Sequence, residues 1–127
     1  MTSPEGLFYS KDHEWVRFEG DLAVVGITDY AQHALGDVIF VEFPRLGKVI
    51  KQFENVGVIE SVKSVSDLMT PVGGEVVEIN AAVETDPSLV NQAAFEAGWL
   101  FKVKTSGDGG RGALLDALAY DAFTTEG

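Results

Sequence analysis

Short runs of β-branched and aromatic residues, each cut off by glycine or proline, recur from His13 to Val103 and leave this chain few folds to choose from. Trp15, Val16 and Phe18 lead into Glu19-Gly20-Asp21, and Leu22-Ala23-Val24-Val25 follows. That pattern predicts a hairpin over His13 to Ile27 that turns at Gly20. Asp37 to Phe43 reads as a mostly buried strand ended by Pro44. Val56 to Val62, Val65 to Met69, Glu75 to Asn80 and Trp99 to Val103 read as further strands, with Pro71-Val72-Gly73-Gly74 as a turn. Helices are minor. Thr28 is placed to cap one over Asp29 to Leu35, closed by Gly36, and Asp86-Pro87 to start one that runs to about Asn91. Leu114, Leu115, Leu118, Ala122 and Phe123 fall on one face of a C-terminal amphipathic helix packed on the sheet. Ser106 to Gly112, rich in glycine, reads as a loop. The expectation is a mostly β chain, a flattened barrel or sandwich with short peripheral helices. Its 127 residues hold no long linker and no repeat, which suits one domain over 1–127.

Charge narrows the function classes. Nine Lys/Arg stand against twenty Asp/Glu, a net charge of −11 at pH 7. Such a surface repels nucleic-acid backbones and anionic membranes and favours basic patches on partner proteins. There is no cysteine, so disulfides, thiolate metal sites and a cysteine nucleophile are excluded. Any sulfur redox chemistry has to come from a bound or attached group. His13 and His33 are too few for a histidine-based metal cluster. His13 reads as a packed or surface residue beside Trp15, and His33 as exposed on the short helix. Trp15 and Trp99 read as core. Met1 to Leu7 is polar and shows no secretory or transit pattern, and charges or glycines break every apolar stretch. The expectation is a monomer in a bacterial cytoplasm, without nucleic-acid or membrane partners.

The informative stretch runs from Gly57 to Val77. Lys63 sits in it between two β-type runs, with Ser61, Ser64 and Ser66 around it. A lysine at a hairpin tip is reachable by a modifying enzyme, and its four-carbon stem adds reach and rotation to anything it carries. On the residues alone, a solvated turn lysine fits the same pattern. A Schiff-base nucleophile is a third reading, but it needs desolvation or a neighbouring cation. Here Lys63 is the only Lys or Arg between Lys51 and Lys102. Gly73-Gly74 is a turn and not a phosphate loop, since no G-x-x-x-x-G-K surrounds it.

Ordered landmarks run along nearly the whole chain. They are Tyr9-Ser10-Lys11-Asp12-His13-Glu14-Trp15-Val16, Val25-Gly26-Ile27-Thr28-Asp29-Tyr30-Ala31-Gln32 and Leu35-Gly36-Asp37-Val38-Ile39-Phe40-Val41. Glu60-Ser61-Val62-Lys63-Ser64-Val65-Ser66-Asp67, Gly74-Glu75-Val76-Val77-Glu78-Ile79-Asn80, Leu89-Val90-Asn91 and Gly98-Trp99-Leu100 follow. From about Leu7 to Phe123 the chain resembles the H protein of the glycine cleavage system, a lipoyl carrier. Biotin carriers place their lysine between methionines, whereas Val62 and Ser64 flank Lys63.

The resemblance implies a lipoyl-domain type of fold and a non-catalytic carrier with lipoic acid joined to Lys63 as N6-lipoyllysine. It implies lipoyl-attaching enzymes and three further partners: a pyridoxal-phosphate glycine decarboxylase, a tetrahydrofolate-dependent aminomethyltransferase and a flavin dihydrolipoyl dehydrogenase. It also implies that Glu14 and Asp67, with Asp12 assisting, line a cleft for the cationic aminomethylated arm; as bare residues all three are ordinary surface carboxylates. An H-like lipoyl relay uncoupled from glycine cleavage fits the same residues. Departures from the family pattern are Phe53 near a usual glycine, Gly73 in place of a serine or alanine, and Asn91 to Phe95 without the usual proline–tyrosine pair. None touches the lysine box.

Overall fold

The computed structural model describes residues 3–126. Strands β1 (Phe8–Tyr9), β2 (Glu14–Glu19), β3 (Leu22–Ile27), β4 (Val38–Glu42), β5 (Val49–Ile50), β6 (Asn55–Ser61), β7 (Val65–Met69), β8 (Gly74–Ile79) and β9 (Phe101–Lys104) build two sheets. Helices α1 (Asp29–Leu35), α2 (Ala81–Thr85), α3 (Leu89–Gln92) and α4 (Ala117–Glu126) lie at their margins. The six-stranded sheet has the order β1-β2-β3-β9-β8-β5, and the three-stranded sheet the order β4-β6-β7. Every strand pairing is antiparallel. The chain is therefore mostly β with short helices and a C-terminal helix; the two sheets face each other without closing into a barrel.

Both faces of the large sheet are covered, and the alternation of strand side chains shows how. Trp15 and Val16 are both fully buried although neighbours on a strand point to opposite faces. Val16 joins Val25, Ile59, Leu68, Val76 and Phe101 in the core shared by the two sheets. Trp15 joins Tyr9, Val24, Ala117 and Tyr120 in a second cluster beneath α4. Trp15 pairs in register with Gly26, and a Cβ on Gly26 would lie 2.6 Å from the indole, so the glycine makes room for the ring. The indole Nε1 donates to Ala94 O at 2.9 Å, which satisfies its one polar atom. Truncating such a ring to alanine costs about 3–5 kcal/mol.

Several expectations shift. Asp37 to Phe43 does contain β4, yet Ile39 and Phe40 are 57% and 49% exposed, because a bulge between Val38 and Phe40 turns both outward. Asp86 closes α2, capped at its start by Asn80, and its carboxylate accepts from Ser88 N at 3.2 Å, but the helix that follows opens at Leu89 and not at Pro87. The next helix is α3, whose first amide bonds run back three residues in a tight turn. In α4 the buried stripe is Ala117 and Tyr120, while Leu118 is 81% exposed, and Leu114 and Leu115 precede the helix. Within Ser106 to Gly112 the chain turns into a short 3₁₀ segment, Arg111–Ala113.

Candidate functional site

Lys63 stands at the tip of the β6–β7 hairpin, and serine chemistry builds that tip. Ser61 N donates to Ser64 O at 2.8 Å, and Ser61 Oγ accepts from Ser64 N at 3.1 Å and Lys63 N at 3.4 Å. Val62 N donates to Asp37 O at 3.0 Å, which ties the tip to the start of β4. The backbone around Lys63 is thus held at both ends while its side chain is exposed. The stem lies over Gly36, the residue that closes α1: a Cβ there would be 3.2 Å from Lys63 Cε. Gly36 has φ +81°, so glycine serves both the helix exit and the lysine stem.

A cavity of about 180 Å³ opens beside this tip. Asp12, Glu14 and Asp67 all line it, together with His13, Tyr30 and Leu35. Leu35, which lines the cavity, is the chain neighbour of Gly36, against which the lysine stem lies. Residues separated by more than fifty positions in sequence meet here because β2 and the β6–β7 hairpin belong to sheets that face each other.

Glu14 is the deepest of the three carboxylates, at 2% exposure. Ser10 Oγ donates to its Oε1 at 2.6 Å. Burial pushes the Glu14 carboxyl up to about 8; nearby Asp12 raises it further, and the Ser10 hydrogen bond pulls the other way. Burial thus favours the uncharged form of the Glu14 carboxyl. Asp12 and Asp67 are exposed at the rim.

His13 is a wall of the cavity and not a loose surface residue. It has φ +68°, stacks on Tyr30 with ring centroids 4.6 Å apart, and places Nδ1 2.8 Å from the Tyr120 hydroxyl. The same hydroxyl is 2.8 Å from Thr28 Oγ1, which accepts from Ala31 N to cap α1. Burial lowers the His13 pKa, opposed by Asp12, and pushes the Tyr120 hydroxyl up to about 12. Sequence reasoning missed Tyr120, Tyr30 and Ile59 as parts of the site. No local pattern marks them, since α4 reaches α1 only in the folded chain.

Lys63 lies in water, without the desolvation or cationic neighbour that Schiff-base chemistry needs. Its exposed amine, the clear path over Gly36 and the cavity lined by carboxylates together fit a long acyl arm with a cationic cargo. Among the described residues no group of three or more His, Asp or Glu is placed to hold a metal ion. No helix among them is long and apolar enough to cross a membrane.

The fold and site thus define a two-sheet β scaffold that offers a lysine on a braced hairpin beside an acidic cavity. The family model described as glycine cleavage H-protein matches residues 7–127. The glycine cleavage system H protein of Symbiobacterium thermophilum is 53% identical over 124 residues, covering 98% of this chain and 97% of that protein. That of Thermus thermophilus is 52% identical over 120 residues, 94% of each chain. The crystal structure of the H protein from Mycobacterium marinum superposes with a TM-score of 0.90 at 36% identity, over 97% of this chain and 99% of that one. The chain belongs to the glycine cleavage H-protein family.

Proposed function

We propose that this chain is the lipoyl-bearing carrier of glycine cleavage, with lipoic acid in amide linkage to Lys63 Nζ. So loaded, it shuttles the aminomethyl group of glycine from a pyridoxal-phosphate glycine decarboxylase to a tetrahydrofolate-dependent aminomethyltransferase. A dihydrolipoyl dehydrogenase then restores it. The reading rests on family membership joined to one observation: Lys63 is exposed on a serine-braced tip beside the cavity of Glu14 and Asp67.

When bound, the lipoyl group supplies the disulfide redox chemistry that a chain without cysteine lacks. The chain's own residues do the rest. Ser61 and Ser64 hold the tip rigid, so the orientation of the lysine is set before a partner arrives. Gly36 leaves the stem a path to the cavity. Glu14 and Asp67, with Asp12 at the rim, receive the cationic end of the arm. Glu14 gives up its proton to solvent as the ammonium enters, so this deepest carboxyl is charged only when it is paired. Enclosure keeps water from the labile cargo between visits, and docking converts each transfer into a high-effective-concentration step. On this reading the chain is a non-catalytic subunit, one carrier domain over 1–127, a monomer, and a resident of the bacterial cytoplasm.

The test is reconstitution. Lipoylated chain added to the decarboxylase should support glycine decarboxylation, and Lys63→Arg should abolish it. A folded, fully lipoylated chain that supports no turnover would point to a lipoyl relay outside glycine cleavage.

A further inference from the structure

The outer face of the three-stranded sheet has an unusual make-up. Phe40 pairs with Glu60 and Glu60 with Val65; one step along, Glu42 pairs with Val58 and Val58 with Asp67. Residues paired across neighbouring strands share a face. That face therefore interleaves Phe40, Val58 and Val65 with Glu42 and Glu60, while Asp67, on the edge strand β7, borders the cavity. The intervening Val41 and Ile59 turn inward to the core, at 6% and 2% exposure. Phe40 is 49% and Val65 66% exposed, and Val62, at 67%, carries the apolar surface on to the Lys63 tip.

Two features of the patch describe its occupant. An arm fixed at Lys63 reaches only what a partner brings to this tip, so a partner that admits the arm rests on surface next to it. Charge states the partner's chemistry. Glu42 and Glu60 form no ion pair among the described residues, whose salt bridges are Arg17–Glu19, Lys48–Glu54 and Lys102–Glu78. Acylation also removes the cation at Lys63, while Arg45 remains beside Phe40 and Glu42. Two copies of this face would set carboxylate against carboxylate, which disfavours self-pairing.

We propose that this outer sheet face docks the glycine decarboxylase, whose matching surface is an apolar centre ringed by Arg and Lys. The proposal rests on the carrier reading above. Phe40 is the anchor, and Glu60, between Phe40 and Val65, is the charged partner within the same row.

The experiment measures binding of purified glycine decarboxylase to immobilised, fully lipoylated chain by interferometry across a salt series. Intact mass and thermal melting of each variant are recorded alongside. Phe40→Ser and Glu60→Lys should each weaken binding at least about tenfold. Glu60→Lys should also flatten the salt dependence, and Leu118→Ser, exposed on α4, should bind as the wild type does. Variants that stay folded and lipoylated yet bind like the wild type overturn the proposal. So does a dimer that Phe40→Ser dissociates with decarboxylase binding unchanged, which gives the face to a second copy. Wild-type chain that is lipoylated but neither binds the decarboxylase nor turns over with it overturns the carrier reading and this face together. Wild-type turnover with indifferent variants removes the face alone.

Discussion

The Lys63 side chain runs over Gly36, its Cε 3.2 Å from the point a Cβ there would occupy. Gly36 combines φ +81° with ψ −161°, a region nearly closed to other residues. Gly36→Ala should therefore cost about 1–3 kcal/mol in urea unfolding. The added methyl should also displace the lysine stem and slow lipoylation, followed by intact mass over time. Unfolding and lipoylation both unchanged would detach Gly36 from the site.

Glu14 gives a pH signature with an unusual sign for a carboxylate. Its folded value of about 8 lies above the ordinary 4.5, so the folded chain binds this proton more tightly than the unfolded chain does. Its contribution to stability is fully present below the unfolded value and is lost as pH rises through the window from 4.5 to about 8. Glu14→Gln should lose that slope and gain stability at pH 8, by an amount on the order of a few kcal/mol. Denaturant melts of both proteins from pH 5 to 8 check it; parallel curves would contradict the buried carboxyl. The same variant should bind a cationic arm more weakly.

Tyr120 joins α4 to the cavity through one hydroxyl. Tyr120→Phe leaves His13 Nδ1 and Thr28 Oγ1 without that partner and should cost about 1–2 kcal/mol. The ring remains stacked on Tyr9, so the loss belongs to the hydroxyl. The His13 ring signals in NMR should shift in this variant while the strand signals of β6 stay in place.

Phe53 has φ +68°, a left-handed position that favours glycine, and places a ring on it. Phe53→Gly and Phe53→Ala discard the same ring, but only alanine retains the Cβ strain. The glycine variant should be the more stable of the two by about 1 kcal/mol in chemical denaturation. Equal stabilities would mean the turn relaxes when the ring goes.

These residues also show what the sequence makes legible. Thr28, Gly36 and Gly20 announce their helix cap, exit and hairpin because the signal is local: a hydroxyl or a positive φ at one position. Phe40 misleads because an apolar run looks the same buried or exposed, and only the bulge at Val38/Phe40 decides it. Leu118 misleads because α4 is packed along one narrow stripe through Ala117 and Tyr120, and which stripe that is depends on Tyr9 and Trp15 far away in sequence. Composition alone makes Lys63 an accessible turn lysine. The meeting of Asp12, Glu14 and Asp67 around one cavity is a product of facing sheets, and the family pattern pointed to it before any periodicity did.

The central claim concerns one amine, and mass spectrometry reads it directly. Protein made in lipoate-replete cells should gain the mass of one lipoyl group, and peptide mapping should put it on Lys63; Lys63→Arg should stay unmodified. A folded chain that remains at its bare mass, or carries the group on another lysine, would contradict the account.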